Sequence, residues 1–402
     1  MYGMKVFTKM DLVRGYYQMP VEESSRCVTA FSTAKRHYQF RNLSFGLANA
    51  PAAFQRAMNV VMSEFPCKNV MVFIDDILVM TESFPEHLKL VNDVLKKLED
   101  VGVKVKVEKC EWFADEVEFL GHKVSATGLK KADKFIEKVR NFPKPKNVRE
   151  LRGFLGLVEF GRKFMKDCSG VMKPLTEWTG KKKSTIVKWN DRMNEAFEKL
   201  KAEVVKDVEL AYPDYSEDAK PLEVYTDASG YCMGGCLMQE QVIEGIERKR
   251  VIAYVSKAFS MTERKYSTIE RELAALRFCL KSLRPFLYGI KFVVRTDHQP
   301  LVYLQRMKTV DSRLARTLED LSDFDYEVEY VPGERNVIAD LMSRMPGSES
   351  MNEKLVINPE FLPKGLMKGK ESRGGGDSMF ESVWYGLQDL AKDRLIERVP
   401  GI

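Results

Sequence analysis

The sequence predicts a multidomain α+β fold, and three observations lead to this prediction. Two apolar runs of strand length flank Asp75-Asp76 in the stretch 71–80, a pattern typical of a β-hairpin with two acids at its turn. Helical and strand patterns alternate on both sides of this hairpin. The segment Phe142-Pro-Lys-Pro-Lys146 then interrupts the pattern, and a second set of strands and helices begins near Leu222.

Length and composition indicate a soluble globular protein. A chain of 402 residues suits two to four domains, and 44% hydrophobic with 30% charged residues is ordinary for that class. The net charge of +6 permits a polyanionic partner without requiring one. No apolar run reaches membrane-spanning length and no signal-peptide pattern begins the chain, so we expect an intracellular protein with no membrane partner.

The cysteine and histidine patterns exclude two classes of small module. The seven cysteines form no CxxC pair, and the four histidines lie far apart in sequence. A disulfide framework and a zinc module are therefore disfavoured, and we expect free thiols in a reducing compartment. Cys232 and Cys236, four apart in a predicted strand, should share a face and lie in the core.

Several local signals place elements around the hairpin. Asp11 follows a short apolar strand, and a helix begins near Pro51 with Asn49 as its predicted cap. After the hairpin, Ser83-Phe-Pro-Glu86 is a capping-box pattern. The helix that it opens has apolar positions at 84, 88, 91, 95 and 98 and should end before Gly102. Valines alternating with charged residues over 101–107 predict a half-exposed strand.

The two adjacent acids admit two interpretations. Neighbouring carboxylates repel each other, and the apolar strands that flank Asp75 and Asp76 raise the cost of keeping both charged. A bound divalent cation would remove that cost. A solvated turn between two ordinary strands is the alternative, and the stretch 71–80 alone does not decide between them.

A basic helix follows the break at 142–146. Its three- and four-residue spacing predicts one stripe, which is either a solvated face or a phosphate-binding surface. The stripe consists of Arg149, Arg152, Lys163 and Lys166. Residues 181–221 are interpreted as a connector that contains a helix from about 191 to 205.

The second domain carries separated acids in similar settings. Asp227 follows a strand, Asp297 ends one, Asp340 lies in a terminal helix, and Glu272 borders the apolar face of a helix predicted over 268–287. Four acids around one sheet end would be unstable without cations, whereas two Mg²⁺ ions would bind them. Such a site suits phosphodiester hydrolysis, and the acids of the first domain suit the related reaction in which a 3′-hydroxyl is the nucleophile.

The chain resembles the reverse transcriptase–RNase H region of gypsy-type LTR retrotransposon polyproteins over roughly residues 5–345. The resemblance rests on motifs in the family's order. In the first half they are Phe7-Thr-Lys-Met-Asp-Leu-Val-Arg-Gly-Tyr-Tyr-Gln18, Phe45-Gly-Leu-Ala-Asn-Ala-Pro-Ala-Ala-Phe-Gln55, Phe73-Ile-Asp-Asp-Ile-Leu-Val79, Glu118-Phe-Leu-Gly-His122 and Leu151-Arg-Gly-Phe-Leu-Gly-Leu157. In the second half they are Thr226-Asp-Ala-Ser229, Tyr266-Ser-Thr-Ile-Glu-Arg-Glu-Leu273, Arg295-Thr-Asp-His298 and Asn336-Val-Ile-Ala-Asp-Leu-Met-Ser-Arg344.

The resemblance implies a role for each candidate site residue. Tyr16 would be the aromatic gate that excludes a 2′-hydroxyl, although a core aromatic is the alternative from the residue alone. Phe45 and Gly46 would line the nucleotide pocket. Two Mg²⁺ ions (or Mn²⁺) would bind at each of two active sites. The polymerase ligands would be Asp11, Asp75 and Asp76, and the nuclease ligands Asp227, Glu272, Asp297 and Asp340.

The resemblance also implies an organisation and a set of partners. We expect a reverse transcriptase palm with partial fingers at 1–125, a thumb at 126–180, a connector at 181–221, an RNase H-like domain with a mixed five-stranded sheet at 222–345 and a flexible tail at 346–402. The basic stripe becomes a candidate thumb contact to hybrid phosphates. The expected partners are an RNA template, a DNA primer, an RNA–DNA hybrid and dNTPs. A cytoplasmic location is expected, with a virus-like particle or the nucleus as alternatives.

One departure from the family pattern leaves the activity open. The chain begins ten residues before Asp11, so we expect the fingers segment that precedes the first motif to be absent. The leading hypothesis is an RNA-directed DNA polymerase joined to an RNase H. The alternatives are a truncated product with nuclease activity only and a non-catalytic nucleic-acid-binding remnant.

Overall fold

A computed structural model describes residues 1–34, 36–166, 168–180, 186–243, 245–304, 312–332 and 396–398. The strands are β1 (Val6–Asp11), β2 (Phe31–Ser32), β3 (His37–Phe40), β4 (Val70–Phe73), β5 (Asp76–Thr81), β6 (Glu111–Ala114), β7 (Glu116–Phe119), β8 (His122–Ser125), β9 (Leu129–Lys131), β10 (Glu223–Ala228), β11 (Cys232–Ile243), β12 (Ile246–Ala258), β13 (Lys291–Thr296), β14 (Asp325–Tyr330) and β15 (Ile396–Arg398). The α-helices are α1 (Ala50–Val61), α2 (Phe84–Asp100), α3 (Asp133–Arg140), α4 (Val148–Phe160), α5 (Cys168–Thr176), α6 (Asp191–Val205), α7 (Thr268–Leu287), α8 (Gln299–Leu304) and α9 (Ser312–Leu321). The predicted multidomain α+β fold is confirmed.

The first sheet has the strand order β4-β5-β1-β6, and nearly all of its central strand β5 is buried. β4 and β5 form the predicted antiparallel hairpin, in which Phe73 pairs with Asp76. The turn is therefore Ile74-Asp75, and Asp76 already belongs to β5. Because β1 pairs with β5 in the register Asp11–Asp76, the end of β1 lies beside the turn.

Helix α2 begins and ends close to the predicted positions, but two details of the prediction are wrong. The Ser83 side chain makes no capping hydrogen bond, so the capping box is not formed. The buried face is His87, Val91, Val94 and Leu98, whereas Phe84 and Leu88 are exposed. The face is rotated because the His87 ring lies between Thr8 and Thr81, whose hydroxyls are 2.8 and 2.9 Å from its two nitrogens.

The strand predicted over 101–107 does not form. The Gln18 side chain binds both backbone groups of Lys104, accepting from its N–H at 2.6 Å and donating to its oxygen at 3.1 Å. A single bridge joins Leu12 to Val105, and Val107–Lys109 is a 3₁₀ helix. Backbone pairing is limited to the Val13 N–H with the Lys104 oxygen and the Lys106 N–H with the Asp11 oxygen. No strand forms, because the Lys104 N–H is bonded to the Gln18 side chain and the 3₁₀ helix begins at Val107.

A helical region of α3 to α6 follows the β7–β9 hairpins and has its own core. Asn147 caps α4 by accepting from the Glu150 N–H at 2.9 Å. Helix α4 ends at Phe160, so the prediction that one helix carries the whole basic stripe is wrong. Helix α6 matches the helix predicted from about 191 to 205.

The second sheet has the strand order β12-β11-β10-β13-β14. β10, β11 and β12 are antiparallel neighbours, whereas β13 pairs in parallel with β10 and β14, so the sheet is mixed and five-stranded as predicted. Helix α7 packs its apolar face on this sheet and begins with a complete capping box formed by Ser267 and Glu270. Cys232 and Cys236 are buried, as predicted.

The helical region is joined to the second sheet by direct contacts. The ring of Phe164 lies in one cluster with Tyr225, Cys236 and Tyr254 of that sheet. Arg162 donates to the Ser256 backbone oxygen at 2.7 Å and also contacts the Ser169 hydroxyl. These contacts attach β12 to the segment between α4 and α5.

Three further observations complete the fold. The short strand β15 pairs with β3 in an antiparallel register. All seven cysteines are free thiols. Within the part of the chain that the structure describes, no helix combines the length and apolar character needed to cross a membrane.

Candidate active sites

The first cluster of acids lies at one end of the four-stranded sheet. Asp11 ends β1 directly opposite Asp76 of β5, and Asp75 occupies the turn next to them. Burial raises the pKa of Asp75, and the charges of Asp11 and Asp76 raise it further. Burial also raises the pKa of Asp76, with Lys9 and Lys109 opposing and Asp11 reinforcing the shift. The cluster is therefore an electrostatically costly group of carboxylates.

The chemistry of this cluster suits a divalent cation. Oδ1 of Asp75 is buried and has no hydrogen-bond partner among the described residues. Hard cations such as Mg²⁺ bind carboxylate oxygens, and a cation here would satisfy this atom and offset the mutual repulsion. The Nζ of Lys109 lies 3.9 Å from Asp11 Oδ2, so the positive charge of Lys109 compensates part of the negative charge of the cluster.

Residues from two other segments hold Asp75 in place. A Cβ atom on Gly15 would lie 2.1 Å from Asp75 Oδ1 and 2.9 Å from the Phe54 ring, so the carboxylate occupies the space that a side chain at position 15 would need. Gln55 of α1 binds the hairpin itself, accepting from the Ile74 N–H at 2.7 Å and donating to the Val72 oxygen at 3.0 Å. Neither role was predicted, because a pattern of residue types does not show which distant side chain reaches a turn.

The predicted nucleotide-pocket residues lie beside this cluster. Tyr16 is buried and contacts Phe45 and Phe54 edge-on, with ring centroids 5.0 and 5.5 Å apart. Phe45 is 58% exposed, and Gly46 has φ +92° with open space around a Cβ position. Tyr16 is thus a core aromatic that also contacts the exposed ring of Phe45. A position in the core and a position beside the predicted nucleotide pocket are therefore compatible.

The second cluster of acids lies at one end of the five-stranded sheet, where its inner strands β10 and β13 finish. Asp227 comes from β10, Glu272 from α7 and Asp297 from the end of β13. One ligand oxygen of each lies within 4.8 Å of the others, and Asp227 and Glu272 are buried. Among the described residues this is the one such group of three, so Asp11, Asp75 and Asp76 are more widely spaced. Asp340, predicted as the fourth ligand, lies outside the described residues.

Electrostatics and packing show how this second cluster is built. Burial raises the pKa of Glu272 to about 9, with further contributions from Asp227 and Asp297. Oε2 of Glu272 is buried without a hydrogen-bond partner in the described structure. Helix α7 approaches the sheet closely because residue 235 is glycine, where a Cβ would lie 2.8 Å from Cys279 Sγ. The three carboxylates offer oxygen ligands, one of which has no hydrogen-bond partner, and such a set fits Mg²⁺ or Mn²⁺.

The predicted basic stripe is divided between two settings. Arg149 and Arg152 are exposed on α4, and Arg152 donates to the Thr179 oxygen at 2.8 Å. Lys163 belongs instead to the 3₁₀ helix after α4, where burial lowers its pKa to about 8 and its Nζ lies 5.4 Å from the centroid of the Phe164 ring. Lys166 is exposed beyond that turn. The structure therefore keeps Arg149 and Arg152 together and separates the two lysines from them.

Two family models match the chain. Residues 2–124 match the model described as reverse transcriptase (RNA-dependent DNA polymerase), and residues 217–324 match the RNase H-like domain found in reverse transcriptase. These ranges contain the first and the second cluster of acids, respectively.

Curated relatives are similar over most of the chain. The chain is 36% identical over 344 residues to the retrovirus-related Pol polyprotein from transposon 297 of Drosophila melanogaster, covering 86% of this chain and 31% of that protein. It is 33% identical over 360 residues to the Pol polyprotein from transposon gypsy of the same organism, covering 87% and 34%. The transposon Tf2-3 polyprotein of Schizosaccharomyces pombe is 32% identical, covering 85% and 25%. The chain thus spans about a third or less of these relatives.

Solved structures show the same arrangement of elements. The foamy viral protease–reverse transcriptase in complex with double-stranded DNA matches with a TM-score of 0.71 and 26% identity, covering 81% of this chain and 67% of that one. The same viral protein in complex with an RNA/DNA hybrid matches with a TM-score of 0.70 and 25% identity, covering 88% and 47%.

Proposed function

This chain belongs to the reverse transcriptase–RNase H part of the retrotransposon Pol polyproteins, and we propose that it works as an RNA-directed DNA polymerase and as a ribonuclease H. The observation that carries the proposal is the presence of one cluster of acids at the end of the inner strands of the sheet in each matched domain. The polymerase would extend a DNA primer on an RNA template with dNTPs. The nuclease would cut the RNA of the resulting hybrid.

In the polymerase site, Asp11, Asp75 and Asp76 would hold two Mg²⁺ ions. Such ions lower the pKa of an attacking hydroxyl or water and stabilise the leaving oxygen. Gly15 and Gln55 would keep the Asp75 carboxylate in its position. The Tyr16 ring, supported by Phe54, would close the sugar side of the pocket against a 2′-hydroxyl and so select dNTPs.

In the nuclease site, Asp227, Glu272 and Asp297 would hold the ions, with Asp340 as a proposed fourth ligand. Glu272 must give up its proton for this purpose, and the positive charge of the ions offsets the burial that otherwise keeps it protonated. We also propose that Arg149 and Arg152 of α4 contact hybrid phosphates.

One experiment tests both assignments. Primer extension on an RNA template and cleavage of a labelled RNA–DNA hybrid are measured for the wild type, Asp75→Asn and Asp227→Asn in the presence of Mg²⁺. Asp75→Asn should abolish extension and leave cleavage intact, and Asp227→Asn should do the reverse. If neither substitution changes either activity, both assignments fail.

A nuclease-only protein is the second candidate, and one observation favours it. The acids of the second cluster lie close enough to share one cation, whereas those of the first cluster are more widely spaced. Hybrid cleavage without any primer extension by the wild type would support this candidate. Extension that is lost in Asp75→Asn would exclude it.

A further inference from the structure

Two cations from separate segments meet on one exposed aromatic ring next to the second cluster of acids. Tyr231, in the turn between β10 and β11, is 52% exposed. The Nζ of Lys173, from α5, lies 4.9 Å from the centroid of its ring. The guanidinium carbon of Arg264, from the 3₁₀ helix Glu263–Lys265, lies 5.8 Å from the same centroid. Cations at these distances from an aromatic face are attracted to it, so Lys173 and Arg264 both make cation–π contacts with Tyr231.

The charges around this ring are mostly positive. The pKa of Lys173 is lowered by burial first and then by Arg264, with Arg192 adding to the effect and Glu177 opposing it. Glu263, adjacent to Arg264 in sequence, pairs with Lys257 at 3.7 Å. Nε of Arg264 is buried and lacks a hydrogen-bond partner in the described part of the chain. A bound anion would therefore relieve the repulsion between Lys173 and Arg264.

The turn between β10 and β11 connects the ring that binds the cations to the strand that carries Asp227. Tyr231 follows Asp227 by four residues, and Arg271, which immediately precedes Glu272, reaches the same turn. Its guanidinium lies 3.5 Å from the Ser229 oxygen, and its Nε is also buried without a partner among the described residues. A polyanion bound at the acids would pass this positive surface.

Lys173 comes from outside the matched RNase H-like domain, which begins at residue 217. Helix α5 is attached to β12 of that domain, because the Ser169 N–H donates to the Ser256 hydroxyl at 3.3 Å and Arg162 binds both residues. This attachment brings Lys173 to the turn at Tyr231. A cation of the helical region thus completes a surface of the nuclease domain.

We propose that Lys173, Arg264 and Tyr231 form a binding site for the sugar–phosphate backbone of the RNA–DNA hybrid during cleavage. This inference rests on the proposed ribonuclease H activity and identifies a substrate contact of that site. The two cations would bind phosphate oxygens, and the exposed Tyr231 ring would pack against the adjoining sugar. Binding of the hybrid by the nuclease then depends on α5 as well as on the RNase H-like domain.

The test measures hybrid binding separately from cleavage. The full chain carrying Asp227→Asn is titrated with a fluorescent RNA–DNA hybrid at several KCl concentrations. Each phosphate contact contributes about −0.9 to the slope of log K against log salt. The double variant that combines Lys173→Ala and Arg264→Ala should therefore make the slope less steep by roughly 2 and weaken binding about tenfold at low salt. Lys173→Arg alone should keep the original slope.

A matched control removes the same two charges elsewhere. Arg284 and Lys291 lie at the far end of α7 and at the start of β13, and each pairs with an exposed acid. Arg284→Ala with Lys291→Ala should leave the slope of the parent chain unchanged. Equal slopes for both double variants would overturn the proposal.

Cleavage by the otherwise native chain gives a second readout. Lys173→Ala with Arg264→Ala should lower kcat/KM for the hybrid about tenfold through KM, with kcat and primer extension unchanged. A fall in kcat at constant KM would overturn the binding role. If the native chain cuts no hybrid at all, the proposed ribonuclease activity fails, and the salt slopes still decide whether these residues contact the hybrid.

Discussion

The side-chain oxygen of Gln55 accepts a hydrogen bond of 2.7 Å from the backbone N–H of Ile74, the residue before Asp75. Ile74 has φ +52°, a left-handed conformation that is costly for a β-branched residue. The Gln55 amide also donates to the Val72 oxygen at 3.0 Å. One side chain of α1 therefore holds a strained turn in the conformation that presents Asp75 and Asp76.

Replacing Gln55 by leucine should impair polymerisation. The substitution leaves the Ile74 N–H and the Val72 oxygen without their partner, at a cost of about 1–3 kcal/mol. If this cost falls on the conformation that presents Asp75, extension slows by roughly 5- to 150-fold. Single-nucleotide primer extension measures this effect. Val60→Ala is the control, since Val60 is exposed on the same helix. Equal rates for Gln55→Leu and Val60→Ala would contradict the role of Gln55.

Replacing Gly15 by alanine should reduce extension by roughly a hundredfold, because displacing a reacting group by about 1 Å has an effect of that size. The new Cβ cannot coexist with Asp75 Oδ1 at 2.1 Å. We also expect a higher Mg²⁺ concentration for half-maximal extension, with hybrid cleavage unchanged. Gly156→Ala in α4 is the control, since its Cβ position is open. A variant with normal Mg²⁺ dependence would show that Asp75 adapts.

Acid should destabilise the first sheet through His87. This ring is fully buried, and burial lowers its pKa to about 4, below the ordinary value of about 6.5. Between these two values the unfolded chain binds a proton that the folded chain excludes, so stability falls as the pH drops from 6.5 to 4. The loss should reach about 3 kcal/mol.

The variant His87→Gln isolates this effect. On unfolding in this pH range, the wild type should take up about one proton more than the variant. The stability of the wild type, measured by calorimetry at several pH values, should therefore fall more steeply as the pH is lowered. His122 has a similarly lowered pKa and remains in both proteins, so it cancels in the comparison. Parallel pH profiles would show that His87 does not titrate on unfolding.

Replacing Arg162 by methionine should loosen the attachment of the second sheet. The substitution leaves the buried Ser169 and the Ser256 oxygen without the guanidinium, at a cost of about 1–3 kcal/mol. Cleavage of a hybrid with a recessed DNA 3′ end should then spread over more positions, while primer extension continues. Arg140→Met, at the exposed end of α3, is the control. An unchanged cleavage pattern in Arg162→Met would contradict this expectation.

Much of the fold followed from local patterns. The hairpin at Asp75 and helix α7 were predicted because periodicity and capping residues report on structure within a few residues, whereas the mixed sheet was expected from the family resemblance. Long-range hydrogen bonds caused the failures. The valines of 101–107 form no strand because Gln18 binds Lys104. The face of α2 is rotated because His87 binds two hydroxyls of neighbouring strands.

The candidate sites were predicted to a similar extent. Asp227, Glu272 and Asp297 converge as expected, since residue type and position at strand ends indicate a shared edge. The residues that support the acids were missed. Gln55 lies 19 positions before Ile74, and no spacing rule connects them. Lys173 was missed because its partner ring belongs to another domain.

The close approach of Gly15 to Asp75 has a consequence for engineering. Gly15 does not adopt a left-handed φ, so its backbone alone would accept alanine, a change that commonly stabilises a protein by about 0.4–1 kcal/mol. The Asp75 carboxylate occupies the space that the new methyl group needs. A library selected for heat resistance alone would retain Gly15→Ala wherever Asp75 moves aside, and would discard the proposed polymerase activity with it. Selections for a more durable enzyme should therefore hold this position constant.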